Sequence, residues 1–166
     1  MLKLRGLFVA SLLFSVYCWA QAPTDQAPAA PVPVPITSGK KIFISNAQGE
    51  SPAVTAFPNQ TYNEFYAAMK DWGRYELVAT PGDADLIFEI RFMVAIGPTT
   101  IYRGGGTSPQ EPQIRLVIFD PKTHAVLWAF TEPVKQAALS ANERKNFKLT
   151  LVKVVNDVKE LVDVKN

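Results

Sequence analysis

The residues with most room for chemistry are Tyr102, Arg103, Gly104, Gly105 and Gly106, inside a stretch over 97–112 that also carries Thr99, Thr100, Thr107 and Ser108. A guanidinium offers forked hydrogen bonds to an anion, and neighbouring glycines leave backbone amides open to a ligand or partner. The stretch lacks the Gly-Lys-Ser/Thr of a nucleotide-binding loop. It joins two expected strands for which a short hairpin would suffice, and loops this long inside a compact domain are functional or mobile. Tyr102 and Arg103 are therefore the expected contacts to a partner, with order gained on binding. The competing reading is a mobile connector.

The remaining inventory excludes more than it offers. One histidine, His124, and one cysteine, Cys18, leave neither a His/Cys zinc site nor a Ser-His or Cys-His nucleophile easy to build. No catalytic residue, cofactor or metal ligand is assigned. His124 follows Asp120-Pro121-Lys122-Thr123 and reads as a turn residue with positive φ. Asp83 and Asp85 lack the alternating oxygen ligands of a calcium loop and read as turn chemistry. Glu89 and Arg91, two apart on one strand face, read as an ion pair. Arg144, Lys145, Lys148, Lys153, Lys159 and Lys165 read as a solvated helix face. Asn59-Gln60-Thr61 matches a glycosylation sequon but overlaps a helix start.

The N-terminus indicates where any such chemistry operates. Lys3 and Arg5 precede an uncharged run to Ala20, the pattern of a secretory signal over 1–20. The apolar run is shorter than the ~20 residues that span a bilayer, which favours a cleaved signal over a retained anchor. Cleavage after Ala20 leaves Gln21 first. Tyr17 before Cys18 is a poor acylation context, so a lipoprotein is not expected. Losing Lys3 and Arg5 leaves 15 basic and 15 acidic residues, a balance that gives no long-range attraction to nucleic acid. Residues 21–39 are rich in Pro and Ala and read as a semi-rigid spacer.

Residues 40–166 are long and apolar enough for one domain. A β-rich run opens at Lys41-Ile42-Phe43-Ile44. Thr61 to Glu64 reads as a capping box for a helix carrying Tyr62, Phe65, Tyr66, Met69 and Trp72 as its stripe, stopped by Gly73. A strand over 74–78 leads to the clearest strand, 84–96, with even-numbered Leu86 to Ile96 on one face. Residues 113–119 and 125–131 form a hairpin with Ile114, Leu116, Ile118, Val126, Trp128 and Phe130 inward. Ser140 to Glu143, a second capping box, opens a helix whose stripe runs from Phe147 to Val162. The order β-α-β-β-β-β-α implies an α+β, two-layer sandwich, with about five strands in a mixed sheet and both helices on one face.

Ile42-Phe43-Ile44, the helix ending at Gly73, Arg74-Tyr75-Glu76-Leu77-Val78, Ala84 to Ile90, and the hairpin reaching Trp128 together resemble bacterial envelope domains. These are the domain of the curli-assembly CsgG family and the N-terminal domain of TolB. The resemblance implies an envelope protein with a binding or assembly role, and it carries over no catalytic residue. The expected function is an exported, periplasmic or secreted, non-enzymatic interaction domain. Its partner would be another envelope protein or a polymer, with no nucleic acid and no membrane span after signal cleavage. The alternative is a carboxylate-dependent enzyme acting on an extracytoplasmic polymer, which needs two facing carboxylates in a cleft.

Overall fold

The computed structural model describes residues 30–47, 59–102, 105–137 and 140–163. The signal 1–20 and residues 21–29 of the spacer lie outside them, as does Lys165. Alternation builds the centre. In β3 (Leu86–Ile96), Leu86, Phe88, Ile90 and Phe92 are buried on one face. β6 (Gln110–Phe119) runs antiparallel beside it, placing Ile118, Leu116 and Ile114 opposite Phe88, Ile90 and Phe92. Large apolar pairs directly opposite on one face are the stabilising unit of a sheet.

β1 (Lys41–Asn46) pairs parallel with β3, Ile42 against Leu86 and Ile44 against Phe88. β2 (Glu76–Leu77) adds parallel to β1, and β7 (Val126–Pro133) antiparallel to β6. The mixed five-stranded order is β2-β1-β3-β6-β7. Over it lie α2 (Gln60–Trp72), packed on β1 and β3, and α3 (Ser140–Asp163), packed on β6 and β7. Phe65, Met69, Phe147, Leu151, Val154 and Val158 close the core from the helix side. The expected α+β two-layer architecture is the one observed. β-branched residues in α3 lower its intrinsic propensity by only tenths of a kcal/mol each, and burial of the stripe outweighs this.

Four local expectations are corrected. The first concerns the spacer. Its C-terminal part carries a short helix, α1 (Val34–Ser38), and buries Val32 and Ile36 in the core. The second is the strand over 74–78, which contracts to β2 because Arg74 and Tyr75 turn to hold α1. Arg74 Nη2 donates to the Thr37 carbonyl at 2.9 Å, and the Tyr75 hydroxyl donates to the Ile36 carbonyl at 3.0 Å. The third is the capping box at Thr61. Helix α2 already starts at Gln60, after Asn59 in left-handed conformation, and Gln60 Nε2 donates to Glu64 Oε1 at 2.7 Å. Thr61 lies buried inside the helix, its hydroxyl without a hydrogen-bond partner. The fourth is Val126, which is exposed. A bulge beside Ile118 and Phe119 skips Leu127 and breaks the parity that holds for Trp128 and Phe130.

The turn chemistry is as expected. Gly73 ends α2 at φ 66, its N–H donating to the Met69 carbonyl at 3.2 Å. His124 takes φ 56, and Asp120 Oδ1 accepts from the Lys122 amide at 2.8 Å. The Lys122 amide, joined by that of Thr123 at 3.3 Å, holds the Asp120 carboxyl below its ordinary pKa.

Tyr75 stacks edge-on against Trp72 and Phe88 while its hydroxyl holds α1. Burial pushes the phenol up to about 12, partly offset by the Arg74 charge. The unfolded chain therefore gives up this proton first, and the stability it contributes is present below pH 10 and lost between about 10 and 12. Tyr75→Phe is expected to cost about 1–3 kcal/mol at neutral pH, because the Ile36 carbonyl loses its donor. The gap between the two proteins should narrow above pH 10 in denaturant titrations. A constant gap across that range would show that Tyr75 does not titrate as a buried group.

Candidate partner-binding arm

Within 97–112 the described residues form a second antiparallel strand pair rather than an open loop. The β3–β6 pairing continues through Ile96 opposite Gln110, and the Gly97 amide then donates to the Pro109 carbonyl at 2.9 Å. β4 (Thr100–Tyr102) and β5 (Gly105–Thr107) follow as an antiparallel pair, with Tyr102 opposite Gly105. The hydroxyls of Thr99 and Ser108 meet at 2.7 Å across the base. Glycine is required where the ribbon narrows. A β-carbon at Gly97 would lie 2.6 Å from Pro109 Cγ, and one at Gly106 2.8 Å from Thr99 Cγ2. Of the clustered glycines, Gly106 thus serves close packing, whereas Gly105 takes a positive φ of 153 with open space around it. Of the expected partner contacts, Tyr102, Gly105 and Gly106 fall on this strand pair; Arg103 and Gly104 lie outside the described residues.

The ribbon outruns its neighbours. β1 leaves β3 at Ile90, and β7 leaves β6 at Gln113. Beyond these points only Val134 and Gln136 still bond to it among the described residues, at the Pro112 and Gln110 carbonyls. Large apolar side chains nevertheless stand on it beyond the core. Val94 packs partly against the core, Ile96 is 75% exposed, and Ile101 on β4 is 83% exposed. A two-stranded ribbon is marginal in water by itself.

The other sequence candidates do not converge. Asp85 Oδ2 accepts from the Lys40 and Lys41 amides at 2.9 and 3.0 Å, which lowers its pKa, while Asp83 takes the Thr80 hydroxyl at 2.5 Å. Each has a structural task. Glu89 and Arg91 share a sheet face but form no ion pair; among the described residues the pairs are Lys41–Glu76 and Lys153–Glu132. Lys159 sits 5.7 Å from the Trp72 ring, and Lys148, Arg144 and Lys145 are exposed, the solvated face expected. No cluster of three or more His, Cys, Asp or Glu able to hold a metal occurs among the described residues.

Two features were illegible in the sequence. A groove of about 470 Å³ runs between α2 and α3 on the surface, floored by Ala68, Leu151 and Val155, not between helices and sheet. Glu132 of β7 and Asp157 of α3 meet beside Trp128 and Phe130. Burial, then the Glu132 charge, pushes the Asp157 carboxyl up, and Lys153 bonds to Glu132. These residues stand 25 positions apart and meet only because α3 crosses β7, which no local pattern signals.

No protein-family model matches the chain, and no curated protein does. Solved structures that match include the PelC dodecamer from Paraburkholderia phytofirmans, at 14% identity and TM-score 0.45, covering 72% of this chain and 86% of that one. A DUF330 protein from Xanthomonas campestris matches at 12% identity and TM-score 0.46, covering 72% and 81%. A lipoprotein from Neisseria meningitidis matches at 13% identity and TM-score 0.42, covering 70% and 99%. The expected kinship with CsgG and the TolB N-terminal domain is overturned, since the matching folds are those of PelC, DUF330 and lipoproteins. The strand–helix–strand order behind that resemblance is a common solution for covering one sheet face, and short motifs within it do not separate families. Likeness at this level says nothing of shared activity.

Proposed function

We propose that the chain is an exported, non-enzymatic interaction domain of the bacterial envelope, and that the β3–β6 ribbon with its β4–β5 tip captures the partner. The observation that supports this is the exposure of Ile96 and Ile101 on a ribbon that outruns its flanking strands. Tyr and Arg, the types at 102 and 103, are the residue types that dominate interface energetics. The partner is another envelope protein or a polymer. Among the described residues no helix is long and apolar enough to cross a membrane.

Replacing 101–107 with an Asn-Gly turn is expected to leave folding intact, because Ile101, Gly105 and Gly106 are exposed. The same change should abolish capture of the partner from envelope extracts by the immobilised domain. Undiminished capture by the shortened variant would move binding elsewhere. Export rests on the signal pattern over 1–20. Intact mass of the exported chain should correspond to Gln21 as first residue. A diacylglyceryl group on Cys18 would instead make it a lipoprotein, as the Neisseria meningitidis neighbour is by name.

Carboxylate chemistry has one feature in its favour, the raised Asp157 beside Glu132. Lys153 already engages Glu132, so the pair is not free to act as acid and base together. Binding is the stronger reading.

A further inference from the structure

We propose that Arg91 and Arg115 form a phosphate-recognition site on the sheet face away from the helices. The register of β3 and β6 sets the two directly opposite each other. Their neighbours in the strands, Ile90, Phe92, Ile114 and Leu116, point into the core, so both arginines stand on the other face. Each is half-buried, and the Nε of each is buried without a hydrogen-bond partner. Neither is neutralised among the described residues. Glu89, the acid two positions away, lies opposite Val117 and forms no ion pair with either.

This arrangement costs stability twice. Like charges directly opposite in an antiparallel pair repel. A buried N–H on a cation without an acceptor has lost its water and gained nothing in return. A Gln or Thr at either position would remove the repulsion, and Thr131, opposite Arg115 on β7, shows that this face accepts one. A sequence that keeps a local conflict of this kind keeps it for a ligand that resolves it.

The ligand must bring several acceptor oxygens, and enough charge for two guanidinium groups. One carboxylate has a single charge and two oxygens, which satisfy one fork. A phosphate monoester or inorganic phosphate carries about −1.5 to −2 and three acceptor oxygens, enough to bridge both. Arginine is the residue whose planar fork matches phosphate with paired donors. The phosphate can belong to a soluble molecule or stand on a membrane surface, and the site reads the same group in both.

The test uses the exported chain with inorganic phosphate against chloride at matched ionic strength, followed by thermal midpoint. Phosphate is expected to raise the midpoint saturably, and chloride not. Arg91→Gln and Arg115→Gln should each weaken the phosphate response at least tenfold while raising the midpoint in its absence. That second sign separates ligand recognition from a structural role, which would lower the midpoint of both variants. Arg115→Lys, keeping charge but losing the fork, should also weaken the response. Co-sedimentation with phosphatidylcholine vesicles containing 20% phosphatidic acid distinguishes the sources. Arg91-dependent sedimentation assigns the phosphate to a surface, and a free-phosphate response alone assigns it to a soluble ligand. Equal responses to phosphate and chloride, a response retained in both Gln variants, or Gln variants that are destabilised or unfolded without phosphate would each overturn the site. The variant shortened over 101–107 should keep the phosphate response, so failure of the arm and failure of this site are separable.

Discussion

Ile36→Ala is expected to destabilise the domain by about 2–5 kcal/mol, although composition places this residue in a proline-rich spacer. Ile36 is fully buried, and its carbonyl accepts from the buried Tyr75 hydroxyl. α1 packs against α3, so a cavity here loosens the attachment of both. Val34→Ala, two residues earlier and 66% exposed, should change stability by no more than about 0.5 kcal/mol. Urea titrations of the two variants give the comparison directly. Equal, near-zero effects would return 31–39 to the status of a tether.

Phe147→Ala should cost about 3–5 kcal/mol, the largest effect expected of any single truncation in α3. Its ring is fully buried, 6.0 Å from the Phe92 ring, where the core ends and the ribbon begins. Neighbouring helix and strand backbone cannot collapse into the space a phenyl group leaves. Leu149→Ala, 59% exposed on the same helix, is the matched control and should be nearly neutral. Removal of everything from residue 140 onward should abolish cooperative unfolding, since Leu151, Val154 and Val158 would leave with Phe147. A truncated chain that still melts cooperatively at the same temperature would show that α3 does not close the core.

Legibility followed the range of the interaction. Leu86 to Phe92 alternate, and alternation alone puts them on the buried face. Gly73 and His124 needed only local backbone chemistry. Ile36 was hidden because its burial depends on Arg74 and Tyr75, almost forty residues later. Val126 was misplaced by one bulged residue, which reverses parity without any mark in the composition. The arm is legible as excess length, but the close approach of Gly97 to Pro109 at its base is a tertiary contact that no local pattern signals. Arg91 and Arg115 were each legible as face residues; their direct opposition is a matter of register.

Site-specific photocrosslinking tests the arm most directly. A benzophenone amino acid at position 101 is compared with one at position 124, in the turn beyond the other end of β6. Cells exporting these chains are irradiated, and crosslinked species are resolved by mass. A discrete partner adduct is expected from position 101 and none from position 124, and it should vanish when Tyr102 and Arg103 are both changed to Ala. An adduct formed equally from both positions, or from neither, would contradict the arm as the partner-binding element.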